Sequence, residues 1–316
     1  MRNFLAVSSG AALLAFAGAC SAQPTPPARI SLQSITMEMV NTVLPDSEAV
    51  APDTGPYAVT TEPTFSAPGF LLFRPTDLDA FPARDTLPVI VWGNGGCALD
   101  SNRYSGFLTT LASHGFVVVG TAPRPAPPAG GARPSATAED LRAALDWVEQ
   151  ENKRVGSPLN GKVAVDKIAV MGQSCGGMLS MVLGADARVD TIGVFNSGVL
   201  GIDPNAAPSG FPDASIVPAI HGPVLLINGA ERDFMTAPSK YVFELLDKPA
   251  FYGERHGGGH TASAFHPGGG EYANVAAAWA MWQLKGDQKA SAMFVGKDCT
   301  LCTNPNWTTA AKKLTN

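Results

Sequence analysis

The segment Gly172-Gln173-Ser174-Cys175-Gly176 sets a serine midway between two glycines. That spacing suits a tight turn from strand to helix, where glycine on either side permits the close backbone approach that lifts the hydroxyl clear of the chain. The flanks agree: Ala169-Val170-Met171 reads as a strand end and Gly177-Met178-Leu179 as the opening of an apolar helix. With that context the pattern is more specific than an ordinary glycine-rich turn. A serine hydroxyl is a weak nucleophile until an imidazole accepts its proton, and the imidazole needs a carboxylate to hold its tautomer. Ser174 therefore requires an acid and a histidine, which in this framework follow it in that order along the chain.

The run Val224-Leu225-Leu226-Ile227-Asn228 reads as a later strand, and the loop behind it, Gly229-Ala230-Glu231-Arg232-Asp233, offers two carboxylates. Asp233 is the expected acid. Glu231, nearer the strand end and beside Arg232, is the alternative acid or a solvated surface charge. His256, His260 and His266 follow the next strand among many glycines. His260 is the expected base, because Gly257-Gly258-Gly259 gives it a flexible reach over the sheet edge. His256 is then a supporting group or a satisfied surface histidine, and His114 and His221, at element boundaries without a carboxylate pattern, are structural. A developing oxyanion needs preorganised N–H donors, commonly one from the residue after the serine and one from the loop after an earlier strand. Cys175 is expected to supply the first, and the loop Trp92-Gly93-Asn94-Gly95-Gly96-Cys97 the second through Asn94 or Gly95. That loop has neither the Gly-x-Gly-x-x-Gly nor the P-loop spacing of a phosphate cradle.

The elements that must position these groups alternate. Residues 59–65 and 69–74 predict an antiparallel pair, and 87–92 a buried strand. There follow a helix over 103–114, a strand over 116–120, a helix over 140–154, a strand over 168–171, a helix over 178–185 and a strand over 191–196. The strand at 224–228, a helix over 240–246, a final strand near 250–253 and a long helix over 272–284 complete the pattern. In the second helix Leu141, Ala144, Leu145 and Val148 recur at helical spacing, and Thr137 with Asp140 can cap its first turn. Strands alternating with helices imply an α/β architecture with a mainly parallel sheet. The proline-rich stretch 123–134 shows no change of composition on its far side and reads as a surface loop rather than an interdomain linker.

With 316 residues, 45% of them hydrophobic and 16% charged, the chain suits one well-packed domain and excludes a disordered or coiled-coil protein. A net charge of −5 without a long basic run gives no footprint for nucleic acid or an anionic membrane surface, so the expected partner is a small or neutral substrate. Arg2, the apolar stretch 5–16 and Ala17-Gly18-Ala19 read as an export signal over residues 1–19. The apolar run is shorter than the roughly 20 residues a bilayer span needs. Cys20, directly after Ala17-Gly18-Ala19, also fits a lipoprotein processing site, so simple cleavage and a lipid anchor at Cys20 both stand open. The expected organisation is a signal over 1–19, an N-terminal tether and lead-in over 20–54 and a catalytic domain over 55–316. An exported location, periplasmic, secreted or lipid-anchored, follows.

Apart from Cys20 the chain holds Cys97, Cys175, Cys299 and Cys302, an even number in a setting where disulfides persist. Cys299-Thr300-Leu301-Cys302 lacks the second ligand pair a zinc site would want and reads as a local disulfide; no metal is expected. Cys97 and Cys175 lie on the two loops that should jointly hold the oxyanion, which predicts a bridge between them, two buried thiols being the alternative.

Several segments resemble the bacterial cutinases and poly(ethylene terephthalate) hydrolases, with the dienelactone-hydrolase-like proteins nearby. They are Gly55-Pro56-Tyr57, Leu111-Ala112-Ser113-His114-Gly115-Phe116-Val117-Val118, Val170-Met171-Gly172-Gln173-Ser174-Cys175-Gly176-Gly177, Ala230-Glu231-Arg232-Asp233 with Ala237-Pro238, and Gly257-Gly258-Gly259-His260. The resemblance implies an α/β-hydrolase fold, a mostly parallel central sheet flanked by helices. It also makes Ser174 nucleophile, Asp233 acid and His260 base, favouring Asp233 over Glu231 and His260 over His256. The chain departs from the family at Asn94, where a tyrosine is usual beside the oxyanion loop, and after Asn196, where a tryptophan that clamps an aromatic polymer is missing. Dienelactone hydrolases carry cysteine as nucleophile; here the cysteine comes one position later. The expectation is an exported serine hydrolase that cleaves carboxylic esters through an acyl-enzyme without a cofactor. The same triad would serve an amide or thioester, and a binding protein that kept the fold and lost activity is the reading from another class.

Overall fold

Short apolar runs bounded by turn residues bury both faces of a sheet, and the helices between them supply the cover. The computed structural model describes residues 24–28, 34–45, 48, 51–64, 66–67, 69–124, 134–199 and 212–315. The export signal, Cys20 and most of the proline-rich stretch 123–134 lie outside the described residues. The first half runs α1 (Met37–Val40), β1 (Val59–Pro63), β2 (Phe70–Pro75), β3 (Pro88–Gly93), α2 (Ser105–Ser113), β4 (Val117–Thr121), α3 (Ala138–Lys153), β5 (Ala164–Gln173) and α4 (Cys175–Leu183). The second half runs β6 (Thr191–Phe195), β7 (Val224–Asn228), α5 (Thr236–Leu245), β8 (Ala250–Arg255), α6 (Gly270–Lys285), α7 (Gln288–Ser291) and β9 (Trp307–Lys312).

The strands form one sheet in the order β1-β2-β4-β3-β5-β6-β7-β8-β9. Pairing is parallel from β4 through β8 and antiparallel at both edges. Because successive side chains point to opposite faces, Val89 and Val91 join one core with Leu141, Leu145 and Met181, while Ile90 and Trp92 join the other with Phe107, Leu108 and Trp279. Helices α3 and α4 thus cover one face, α2 and α6 the other. Ser174 follows the central strand β5, at the carboxyl end of the parallel strands, where open α/β sheets place their ligands.

Several elements differ from their sequence patterns: β5 and α5 each begin four residues earlier than expected, at Ala164 and Thr236, and three others differ for an identifiable reason. Helix α4 begins at Cys175 rather than 178: Gly176 and Gly177 are poor helix formers and hid its first turn, which packing against β3 and β5 stabilises. Helix α2 begins at Ser105, after a separate turn of 3-10 helix over Ser101–Tyr104 capped by Asp100. The strand expected last, near 250–253, is followed by β9, which pairs with β8 from Ala250↔Lys312 to Arg255↔Trp307. Only Trp307 is buried in β9, so this edge strand carries no alternation to read. Helix α3 has the expected reciprocal cap, Asp140 N–H to Thr137 Oγ1 at 3.3 Å and Thr137 N–H to Asp140 Oδ2 at 2.9 Å.

The lead-in from Thr42 onward lies against the sheet's carboxyl end. Thr261 N–H donates to Thr42 O at 3.2 Å, Leu44 N–H donates to Ala262 O at 3.2 Å, and the Leu44 side chain is buried. Asn274 of α6 holds Ala51 O and the Asp53 amide. No helix among the described residues is long and apolar enough to cross a membrane.

Near the end of α3 the buried Glu151 carboxylate accepts from Arg154 Nη2 at 2.6 Å, Ser157 Oγ at 2.7 Å and Ser66 Oγ at 2.8 Å. The Arg154 guanidinium, with help from both serines and against the pull of burial, holds this carboxyl down to about 2 from an ordinary 4.5. A folded-state pKa below the unfolded value gives stability that is fully present above the unfolded pKa and is lost as pH falls through the folded one. Glu151→Gln is expected to lower neutral-pH stability by about 1–3 kcal/mol. The gap to wild type should close as pH falls from about 4.5 toward about 2, as read by thermal unfolding across pH. A gap independent of pH contradicts this.

Candidate active site

Ser174 sits between β5 and α4 with φ 54° and ψ −122°, a conformation that costs free energy in an L-residue and persists only where its surroundings fix it. Its N–H donates to Phe195 O of β6 at 2.8 Å, and its carbonyl accepts from Gly177 N–H at 2.9 Å and Ser197 Oγ at 2.6 Å. The turn also needs α4 to start hard against β3. A Cβ on Gly176 would lie 2.0 Å from Gly93 O, so no side chain fits there. The result is a half-buried serine whose hydroxyl faces the loops after β7 and β8.

His260 Nε2 lies 2.8 Å from Ser174 Oγ, and His260 Nδ1 lies 2.9 Å from Asp233 Oδ1. Since a carboxylate only accepts, Nδ1 carries the ring proton and Nε2 is left to accept from the serine hydroxyl. Asp233 and His260 are buried. The Asp233 carboxylate is held by further donors: Met235 N–H to Oδ1 at 3.0 Å, and Gly229 N–H at 3.2 Å and Asn196 Nδ2 at 2.8 Å to Oδ2. Asn196 also donates to Gly259 O at 3.1 Å, so one carboxamide ties the acid to the residue before the histidine. The Phe234 ring stacks on the imidazole with centroids 4.1 Å apart.

The other candidates stand elsewhere. Glu231 is exposed, one residue from Arg232. His256 is exposed and contacts Thr308 Oγ1, while His114, His221 and His266 lie within hydrogen-bond distance of the carbonyls of Asp53, Ala185 and Leu44. Each is a fastening between chain segments.

Cys175 is the first residue of α4, so its amide has no partner within the helix and is available at the site. The two alternatives for a second donor differ. Gly95 N–H donates to Tyr104 Oη at 3.0 Å, a partner within the fold that a substrate oxygen would compete with. The Asn94 side chain is turned inward, within 2.8–3.0 Å of Ala98 O, Ser101 Oγ and Thr121 Oγ1, so that residue could act only through its backbone amide. Tyr104 Oη in turn donates to Gln173 Oε1 at 2.8 Å, and Gln173 Nε2 donates to His260 O at 2.7 Å. Burial pushes the Tyr104 hydroxyl up to about 12, so it keeps its proton across any ordinary pH.

Cys97 and Cys175 are bonded, with Cα atoms 5.2 Å apart, and Cys299 and Cys302 are bonded with Cα atoms 5.1 Å apart. The first bridge fastens the loop after β3 to the first residue of α4. Beside it opens a cavity of about 620 Å³ of mixed lining, with Ala136, Leu179 and Val182 facing Ser135, Thr137 and Glu139. Among the described residues no group of three or more His, Cys, Asp or Glu could hold a metal ion. A serine hydroxyl within reach of an imidazole and beside a helix-terminal amide can perform acyl transfer. Asn196, Tyr104, Gln173 and Phe234 are the participants that sequence reasoning passed over. Asn196 alone had a local signal, a polar residue ending an apolar strand.

Residues 42–190 match the family model PETase, PET hydrolase-like. Over this stretch the chain is similar to that family. Its fold, a mostly parallel sheet covered by helices, is that of an α/β-hydrolase. The matched stretch starts at Thr42, in the lead-in that packs on Thr261, and takes in the Asn94 loop and Ser174; Asp233 and His260 lie beyond it. No curated protein matches the chain closely enough to extend the comparison.

Alkylation of the unfolded protein without reductant is expected to leave Cys97 and Cys175 unmodified, and prior reduction to expose both, as read by peptide mass mapping. Free thiols at both positions would contradict the bridge.

Proposed function

We propose that this protein is an exported serine hydrolase that cleaves carboxylic esters through an acyl-enzyme. The observation that carries the reading is the pair of short contacts that joins Ser174 Oγ, the His260 ring and Asp233 in one line. Similarity to a PET hydrolase-like family supports ester hydrolysis as the reaction class.

In this reading Ser174 Oγ attacks the ester carbonyl carbon while its proton passes to His260 Nε2. The carbonyl oxygen gains charge and is held by the Cys175 amide and the backbone amide of Asn94, donors already in place before the reaction. Asp233, whose other lone pairs accept from Gly229, Met235 and Asn196, orients the ring and stabilises the imidazolium through Nδ1. The Phe234 ring face adds a favourable surface for a cationic imidazole. Collapse of the intermediate breaks the C–O bond, and His260 gives its proton to the departing alcohol. Water then attacks the acyl-enzyme by the same route and frees the acid. Export is supported by the N-terminal signal pattern and by two disulfides, which persist in oxidising compartments. Cleavage before Cys20 or a lipid anchor on it would both suit that route.

A fluorophosphonate probe is expected to label the full chain, and Ser174→Ala to abolish labelling and reduce p-nitrophenyl ester turnover by about 10⁴-fold or more. A folded protein that neither takes the probe nor turns over an ester would favour a binding role on the same fold. A series of p-nitrophenyl esters of increasing chain length then measures how much acyl group the site admits.

A further inference from the structure

Three loops from three strands meet at Ser174: the loop after β3, the turn after β5 and the loop after β8. The disulfide fastens the first to α4, and Asn196 fastens the acid to Gly259. Neither holds the loop after β3 to the loop that carries the histidine. One continuous chain of hydrogen bonds does: Gly95 N–H to Tyr104 Oη at 3.0 Å, Tyr104 Oη–H to Gln173 Oε1 at 2.8 Å, and Gln173 Nε2–H to His260 O at 2.7 Å. Tyr104, Gln173 and His260 are all buried.

The polarity of this chain allows no reversal. Gly95 N–H can only donate, so it uses the tyrosine oxygen as acceptor and sends the tyrosine proton onward. The carboxamide must then present oxygen to Tyr104 and nitrogen to the His260 carbonyl. Flipped, it would set two acceptors against each other at one end and two donors at the other. Gly95 is shaped by the same contact, since a Cβ there would lie 2.2 Å from Gln173 Oε1 and 2.6 Å from Tyr104 Oη. Gln173 is also the residue before the nucleophile, and its backbone pairs with Phe195 in the β5–β6 ladder. A rigid strand end therefore grips both flanking loops through one side chain.

We propose that Gln173, working with Tyr104, is a positioning residue that holds the oxyanion loop and the His260 backbone in register with Ser174. It touches no reacting atom; it acts by setting where the imidazole and the donor loop stand. The proposal rests on the serine-hydrolase reading above. Loss of the bridge should slow the chemical step more than it weakens substrate binding, because misplacement of catalytic groups by about 1 Å can cost on the order of 10²-fold in rate.

The test compares full-length Gln173→Met, Tyr104→Phe and the double variant on a p-nitrophenyl ester. Each single variant is expected to lower kcat about tenfold or more with KM within about twofold, and to slow fluorophosphonate labelling in parallel. The double variant should be no slower than the worse single one, because both substitutions break the same chain. Tyr104→Phe removes one oxygen and keeps the ring against Trp92 and Phe265, so it decides the matter alone if Gln173→Met does not fold. Folded variants that both keep kcat within about twofold, or that change only KM, overturn the proposal. Turnover that survives Ser174→Ala overturns the hydrolase reading and this proposal with it. Turnover lost in Ser174→Ala but kept in both bridge variants overturns this proposal alone.

Discussion

The first turn of α4 runs so close to the end of β3 that backbone meets backbone. A methyl group on Gly176 would lie 2.0 Å from the Gly93 carbonyl oxygen, and one on Gly172 would lie 2.4 Å from that of Gly176. No other residue type satisfies both distances without moving a strand. The contact makes Ser174 the pivot between a central strand and its helix, and holds it at a positive φ. It also brings the loop after β3 beside the helix terminus, where Cys97 can reach Cys175. Ser174, the helix-terminal amide and the loop after β3 share one compact origin.

Asp233 and His260 arrive independently, on loops after β7 and β8, and their alignment depends on polar fastening. Asp233 is buried with four donors around its two oxygens, which keeps the charged carboxylate satisfied without water. Asn196 couples that carboxylate to Gly259, and Gln173 couples the His260 carbonyl to the strand that carries the nucleophile. From outside, the lead-in closes over the next residues, with Thr42 and Leu44 bonded to Thr261 and Ala262. These bonds give the loop around the imidazole fixed neighbours, which would lower the reorganisation required if the ring becomes charged.

Local patterns carried the central strands and the elbow, because those signals reside in adjacent residues: apolar runs for β3, β5, β6 and β7, and two glycines around Ser174. The start of α4 was hidden, since glycine's low helix propensity speaks against a helix that tertiary contact enforces. Strand β9 was hidden because an exposed edge need not alternate. The lead-in shows no periodicity, yet it packs on the histidine loop through backbone bonds, which leave no mark on side-chain pattern. The loop alone offered Asn94 or Gly95 as donor; that Gly95 N–H also has Tyr104 within reach, nine residues away, could be seen only in three dimensions. Asn196 and Gln173 act across separations of 37 and 87 residues and are equally silent in a linear reading.

The central claim is that this geometry makes Ser174 a covalent nucleophile. It is tested most directly by mixing the protein with a p-nitrophenyl ester, quenching in acid during turnover and mapping the bound acyl group by peptide mass. The account requires the acyl group on the peptide that carries Ser174, and none on Ser174→Ala. An acyl group trapped on another residue, with turnover undiminished in Ser174→Ala, would contradict it.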